Sequence, residues 1–420
     1  MEKSKSRSYY HWIILFCGIL LGICNMGNSA LTSPIMPFLR EQIGMNYSQA
    51  SILMTLRTLT TVLGTLVMDK VFNKFGLRYG AMIAFASAIA GATLLGLANT
   101  YAACLVAFAF VGFGFGLGGM MPAALLMRRW FTKRRGLAVG LCSSGSGIAT
   151  MVFAAPLASI ISESGIFAAQ RIWIAVMVVG AVLYFLLVRN SPADKGLLPY
   201  GEGEQTEEAK EKKNSGPLKP IAKKDTFLLY STIVAVGAMA FCSYDNFTLA
   251  STQAGYDPVM IGVAVSLFGG IMMCGKPLYG LVADLIGTVR TNYIFFGLAI
   301  LGHVFFVMMD GKSMFYPYAI VVLMGLCVYT ISTVGYPIWT AELASEEKYA
   351  NLLKKIQTTS TVSGLVLNPF PGIIADNFGS YRPFYVIVGC LLIYALIVIQ
   401  MLYKRYVPKV SKAAKAPQNA

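Results

Sequence analysis

Arg57, Lys276 and Asp245 are ionisable residues set inside long apolar runs of a 420-residue chain. An ionised side chain at the centre of a bilayer costs roughly 2.5 to 3.5 kcal/mol even on insertion scales, so such residues face a wet cavity or a partner and are functional candidates by default. Arg57 and Lys276 hold matching places in the two halves of the chain, each upstream of the same loop signature. The first copy reads Gly64-Thr-Leu-Val-Met-Asp69-Lys70, then Lys74-Phe75-Gly76-Leu77-Arg78; the second reads Gly280-Leu-Val-Ala-Asp284-Leu-Ile-Gly287-Thr-Val-Arg290. At a helical rise of 1.5 Å per residue, Lys276 lies about 12 Å before Asp284 and Arg57 about 18 Å before Asp69. Both then fall near the midplane of a hydrocarbon layer about 30 Å thick. Two fixed positive charges in a low-dielectric cavity repel each other and favour an anionic guest, whose carboxylate oxygens accept charge-assisted hydrogen bonds. The competing readings are a structural pair with a carbonyl or an acid for Arg57, and snorkelling for Lys276, which its depth disfavours. Asp245 is the one acid inside a span away from the signatures and is a candidate to carry a coupling proton. Its place about twenty residues past Asp225 suits a solvated acid near the outer end equally well.

A set of membrane helices must position these groups. With 56% hydrophobic and 13% charged residues and a mean hydropathy of +0.64, the chain is too apolar for a soluble domain. A crossing takes roughly 20 helical residues. Apolar runs of that length recur twelve times, over 11–38, 48–70, 77–98, 101–127, 136–161, 170–189, 226–251, 258–283, 290–309, 315–340, 355–375 and 382–403. The expected fold is an all-α membrane protein of two six-helix halves, 1–189 and 226–403, joined by a polar linker over 190–225 and followed by a basic tail over 404–420. The linker turns to Glu, Lys, Gly and Pro, as in Glu207-Glu-Ala-Lys-Glu-Lys-Lys213, a composition expected to be flexible in its middle.

The return of the signature after the second helix of each half marks an internal repeat. Two halves related by an axis along the membrane normal, with a site near the midplane, are the arrangement of secondary transporters that work by rocking. Within the signatures, Gly64, Gly76, Gly280 and Gly287 permit turns and close packing, and Asp69 and Asp284 accept hydrogen bonds or pair with a base as helix ends approach. Lys70, Arg78 and Arg290, with Arg134 and Arg135 of the connection after the fourth helix, complete the candidate gating loops. A charged loop serving topology alone is the simpler alternative.

The formal net charge of +15 reads as topology rather than as a nucleic-acid surface. The basic residues of the N-terminus, of 70–78, of 128–135, of the linker and of the tail all fall on one side of a twelve-span arrangement. The other side holds Arg40, Arg171, Lys312 and Arg382. The positive-inside rule then places both termini in the cytoplasm, with a bacterial inner (plasma) membrane as the expected location. The chain starts basic and then apolar, but the apolar run is longer than a signal-peptide core and reads as the first helix. All eight cysteines lie in apolar segments without a CxxC pair and read as small packing residues rather than as a disulfide or zinc framework.

The doubled signature resembles that of the major facilitator superfamily. Arg129-Trp-Phe-Thr-Lys-Arg-Arg-Gly-Leu-Ala-Val-Gly140, Ser143-Ser-Gly-Ser-Gly147, Pro192-Ala-Asp-Lys-Gly-Leu-Leu-Pro-Tyr-Gly201 and Gly275-Lys276-Pro277-Leu-Tyr-Gly280 are similar to its oxalate/formate antiporter and monocarboxylate transporter branch. In that branch a helix-eight arginine at the position of Lys276 is associated with the substrate carboxylate; lysine keeps the charge and gives up the planar fork. Some members also carry a basic residue within helix one or eleven. None lies well inside either here, where Lys354 and Lys355 stand at the entrance of helix eleven. The resemblance implies a cavity lined by helices one, four, seven and ten. Their polar residues here are Asn25, Asn28, Ser29, Thr32, Tyr244, Asn246, Tyr329, Thr330, Thr333 and Tyr336. Of these, Asn28, Tyr244, Asn246, Tyr329 and Tyr336 are carried forward with Arg57 and Lys276 as substrate-binding candidates, although each polar residue alone is more often a helix-packing bond. His303 reads as packing.

The expected function is secondary transport of a small organic anion, a monocarboxylate or dicarboxylate, by proton symport or anion exchange. Export of larger amphipathic acids or drugs is the alternative, with a transporter-fold anion sensor behind it. No Walker sequence and no paired acid, base or metal groups are visible, so neither ATP hydrolysis nor an enzyme is expected, and no cofactor. Gly112-Phe-Gly-Phe-Gly-Leu-Gly-Gly119 lies in an apolar span and reads as a helix-packing stripe rather than a dinucleotide loop. The expected partners are the substrate anion, the bilayer and protons. No nucleic acid is expected, and a monomer is the default because one chain holds both halves of the pathway.

Overall fold

A computed structural model of the chain describes residues 9–201, 222–344 and 346–407. The basic start, the middle of the expected linker and most of the expected tail lie outside the described residues. A hydrocarbon layer offers no water to a backbone N–H or C=O, so an apolar chain closes those bonds within helices. Among the described residues twelve result. They are α1 Tyr9–Ile43, α2 47–75, α3 77–96, α4 Tyr101–Trp130, α5 135–164, α6 166–187, α7 223–253, α8 Pro258–Ile286, α9 Thr288–Met308, α10 Phe315–Leu343, α11 346–378 and α12 Arg382–Tyr406. Each expected span falls on one of them, and α11 begins well before the expected 355.

The join of α2 to α3 is a single residue, Gly76 at φ 75°, and that of α5 to α6 is Gly165 at φ 82°. Glycine adopts such a backbone at little cost. The chain reverses at both, as the contacts show. Gly112 and Gly116 of α4 lie against Arg57 and Thr61 of α2, while Gly114 lies against Ala84 and Ala88 of α3. Gly27 of α1 lies against Ala149 of α5, and the next residue, Asn28, accepts from the indole of Trp173 in α6. We call the face holding the start of α1 and the end of α12 the terminal face, and the opposite one the distal face.

On the distal face, helix starts are capped by side chains. Asn46 and Gln49 form a reciprocal capping box on α2, Thr100 caps α4 and Asp257 caps α8. On the terminal face each half is bound to itself. Residues 190–201 pass beneath the N-terminal half: Asn190 accepts from the Arg78 amide, Tyr200 pairs with Trp130, Thr132 and Lys133, and the His11 ring meets the Leu198 carbonyl. This part of the expected linker is therefore packed protein. In the other half, the Asp225 carboxylate at the start of α7 receives Arg405 and Tyr406 from the end of α12. His303 is fully buried between Ser243 and the Ala299 carbonyl, a packing role as expected.

Three helix pairs join the halves. Gly262 and Gly269 of α8 pack on Ala158 and Met151 of α5, and Ser266 accepts from the Ala155 amide beside Pro156, where α5 lacks a ladder donor. Gly372 of α11 packs on the Tyr47 carbonyl of α2, and Ser33 of α1 exchanges hydrogen bonds with α7. Measured along the helices, the hydrogen bonds that join the halves among the described residues lie between the distal face and the helix midpoints. This is a distal-closed arrangement.

The glycine stripe of α4 does what the sequence suggests, and it seats Arg57. A Cβ at Gly112 would come within 2.1 Å of the Arg57 carbonyl oxygen, whereas Gly297 on α9 has open space around it. Gly112→Ala is expected to destabilise the folded protein by roughly 1 to 3 kcal/mol, the usual scale of overpacking. Gly297→Ala is expected to leave it unchanged. Thermal unfolding of the two purified variants in detergent checks this, and equal midpoints would refute the close-packing account.

Candidate functional site: an ion pair in the seam between the halves

The helices that meet at the centre are irregular there. α1, α7 and α10 pass through π-helical turns at Gly22–Met26, Ala238–Ser243 and Ile331–Gly335, and α4 breaks at Gly119. Such turns carry an extra residue and are frequent at functional sites. In α1 the irregularity continues beyond the turn, since Pro34 has no N–H to offer the Ala30 carbonyl. The α7 turn leads directly into Tyr244, Asp245 and Asn246.

Arg57 reaches into this seam from α2. One guanidinium nitrogen donates to the Ser29 carbonyl at 2.9 Å and to the Thr32 hydroxyl at 2.6 Å, both on α1. The other donates to the Asp245 carboxylate of α7 at 2.6 Å. Arg57 is 7% exposed and Asp245 3%, so the pair is removed from solvent and joins the two halves. Around it, Ser33 donates to the Asp245 carbonyl, Thr248 to the Ser33 carbonyl, and Ser51 of α2 to the Asn246 side chain.

Two of the sequence expectations change. Asp245 is not a solvated acid near the outer end; it is buried against a cation. Arg57 is paired, with an acid and a carbonyl, as the competing reading had it. The side chains of Lys276 and Arg135 lie outside the described residues. The main chain at Lys276 follows Gly275, which packs on the Gly325 carbonyl of α10.

The remaining candidates divide by what their polar atoms do. Tyr244 stacks on Phe268 of α8 with ring centroids 4.3 Å apart and meets Tyr329 of α10 edge-on at 5.9 Å, an aromatic wall beside the ion pair. Asn28 donates to the Ala88 carbonyl and accepts from Trp173, within the N-terminal half. Tyr336 faces Ser360 and the Ile233 carbonyl, within the C-terminal half. Asn246 bonds to the Cys242 carbonyl and to Ser51. Of the signature residues, Gly64 seats α2 on the Phe113 carbonyl and Arg78 donates to the Phe185 carbonyl, while Asp69, Lys70, Asp284, Arg290 and Arg134 are exposed on the terminal face. Gly280 has open space around it, and Gly287 turns the chain at φ 84°.

Sequence reasoning passed over Ser33, Ser51 and Thr248, whose types carry no signal in a helix. It also passed over Asp376, which accepts from the start of α2 on the distal face. Chemically, the seam holds a guanidinium satisfied by a carboxylate that belongs to the opposite half.

A sequence profile of the Major Facilitator Superfamily matches residues 18–367. Monocarboxylate transporter 12 of Rattus norvegicus is 22% identical over 425 aligned residues, 92% of this chain and 84% of that protein. The oxalate:formate antiporter of Oxalobacter formigenes is 24% identical over 228 residues, 54% of this chain and 52% of its own. Among solved structures, a mutant of the peptide transporter POT superposes with a TM-score of 0.70 at 12% identity, over 96% of this chain and 98% of that one. A bacterial homologue of the human lysosomal transporter Spinster, in an inward-facing and occupied conformation, gives 0.65 at 15% identity over 95% and 98%. The solved structures share the fold, and the profile matches most of the chain, from α1 into α11: the chain belongs to the Major Facilitator Superfamily of membrane transporters.

Proposed function

We propose that this protein moves a small organic anion, a monocarboxylate or dicarboxylate, across the membrane by alternating access, coupled to a proton or to exchange for another anion. The observation that carries this reading is the Arg57–Asp245 pair. A buried guanidinium already bound to a carboxylate is a carboxylate site, and its occupant comes from the other half, so exchanging that occupant bears on how the halves sit. In this reading Asp245 holds the place of the substrate until a proton neutralises it. Lys276 supplies a second positive charge on α8, and the Tyr244 and Phe268 rings wall the apolar part of the guest. Similarity to proteins named for monocarboxylates and for oxalate and formate supports the same class. With the termini in the cytoplasm of a bacterial cell, the terminal face opens inward, and the exposed Asp69 and Asp284 belong to gating loops that stand apart.

Counterflow of labelled oxalate, formate, lactate and pyruvate into liposomes tests the reading. Uptake of one of these acids, lost in Arg57→Ala and in Lys276→Ala while both remain folded, is expected; no uptake of any of them by the parent refutes this substrate class. Asp245→Asn is expected to keep anion exchange and to lose stimulation by an imposed proton gradient. An Asp245→Asn variant still driven by that gradient would remove the acid from coupling. Stability gives a separate check. Asp245→Ala alone leaves Arg57 buried and unpaired, a loss of about 3 to 5 kcal/mol, whereas the double variant Arg57→Ala/Asp245→Ala removes both charges and is expected to be the more stable of the two. Thermal unfolding in detergent orders them.

A further inference from the structure

The loop signature occurs a third time, on the opposite face of the molecule. Gly372-Ile-Ile-Ala-Asp376-Asn-Phe-Gly379-Ser-Tyr-Arg382, at the turn from α11 to α12, repeats Gly280-Leu-Val-Ala-Asp284-Leu-Ile-Gly287-Thr-Val-Arg290 with its Gly, Ala, Asp, Gly and Arg at identical spacing. In this structure both carboxylates are exposed at the surface, and Asp376 in addition bridges to the opposite half. Its two carboxylate oxygens accept from the backbone amides of Tyr47 at 3.0 Å and Ser48 at 2.8 Å, and one of them also accepts from the Ser48 hydroxyl. Those amides are the first two of α2. The third is met by the helix's own Asn46, so α2 is capped jointly, by its own half and by the opposite one.

The surroundings make this contact a fastening rather than a chance pair. Gly372, one turn before Asp376, brings α11 onto the Tyr47 carbonyl so closely that a Cβ there would come within 2.2 Å. The Tyr47 ring is held between the Arg40 guanidinium at 3.8 Å and the edge of Tyr381 at 5.4 Å. The α11–α12 turn that carries Asp376 is anchored within its own half, by the Tyr381 amide on the Gln253 side chain and by Arg382 on the Met309 carbonyl. Below it, two turns deeper on the same face of α11, Asn368 is completely buried, and neither end of its amide has a partner among the described residues. Its neighbours one turn away on either side, Gly364 and Gly372, pack on α7 and α2. Counted from the distal end, Asn368 is ten residues down α11 as Arg57 is ten residues down α2, about 15 Å in each case. A polar side chain at that depth between the halves is what the lining of a pathway would bury when its outer end shuts.

We propose that Asp376 is the latch of the distal gate: it holds the two halves together by capping α2 across the seam, and its release uncovers Asn368 to the distal solution. The proposal rests on the alternating-access reading, but its test uses no substrate, so it can fail while the substrate class stands.

The experiment is the rate at which a membrane-impermeant methanethiosulfonate, added from the distal side of right-side-out vesicles, reacts with a full-length Asn368→Cys reporter in which Cys274 and Cys390 are serine. With Asp376 in place, the reporter is expected to be nearly unreactive. Asp376→Ala is expected to raise its rate roughly tenfold or more, the scale set by charge-assisted hydrogen bonds, and Asp376→Asn by less. Ser48→Ala, which removes one contact and leaves the carboxylate, is expected to raise it by only a few fold and carries the test if Asp376→Ala does not fold. An unchanged rate in the Asp376 and Ser48 variants would overturn the proposal, as would a reporter that already reacts fully with Asp376 present.

Discussion

A guanidinium placed in the hydrocarbon layer has to be satisfied by whatever the fold can bring to it. In this protein that demand organises the centre. Arg57 takes a carbonyl and a hydroxyl from α1 and a carboxylate from α7, so one side chain of α2 draws three helices together across the boundary between the halves. Burying both partners carries a desolvation penalty that mutual attraction offsets only when the remaining donors are also met. Ser29 and Thr32 meet them, and the α4 glycines let the Arg57 backbone sit close enough for the reach to succeed.

The two halves differ in how they are held. Within each half, bonds at the terminal face are extensive: residues 190–201 beneath α1 and α4 on one side, and the Asp225 cluster and the Tyr279–Asn292–Trp339 group on the other. Between halves the contacts are of another kind: small residues crossing small residues, the Arg57–Asp245 pair, the Asp376 cap on α2 and a handful of further hydrogen bonds. Units that are internally cross-linked and apposed through small residues are suited to moving as bodies.

Much of this was legible in the chain. The twelve spans, the reversal at Gly76 and the packing role of the α4 glycines follow from apolar length, from a turn residue and from spacing, all of which are local properties. Arg57 was legible as a buried cation, but its partner was not. Counting 1.5 Å per residue from Asp225 placed Asp245 near the outer end, and no periodicity in the sequence announces which way a π-helical segment turns the residues after it. Asp376 escaped for a different reason. The third copy of the signature lies on the opposite face, where the charge pattern reads as an ordinary connection, and its meaning depends on α2, more than three hundred residues away.

The π-helical turns in α1, α7 and α10 have a geometric result of their own. One added residue in a helix of 3.6 residues per turn rotates everything beyond it by about 100°. Each of these helices therefore presents one stripe at its terminal end and a different stripe at its distal end. A single helix is able to pack against its own bundle along one length and against the other bundle along the next, without giving up a side-chain surface to do both.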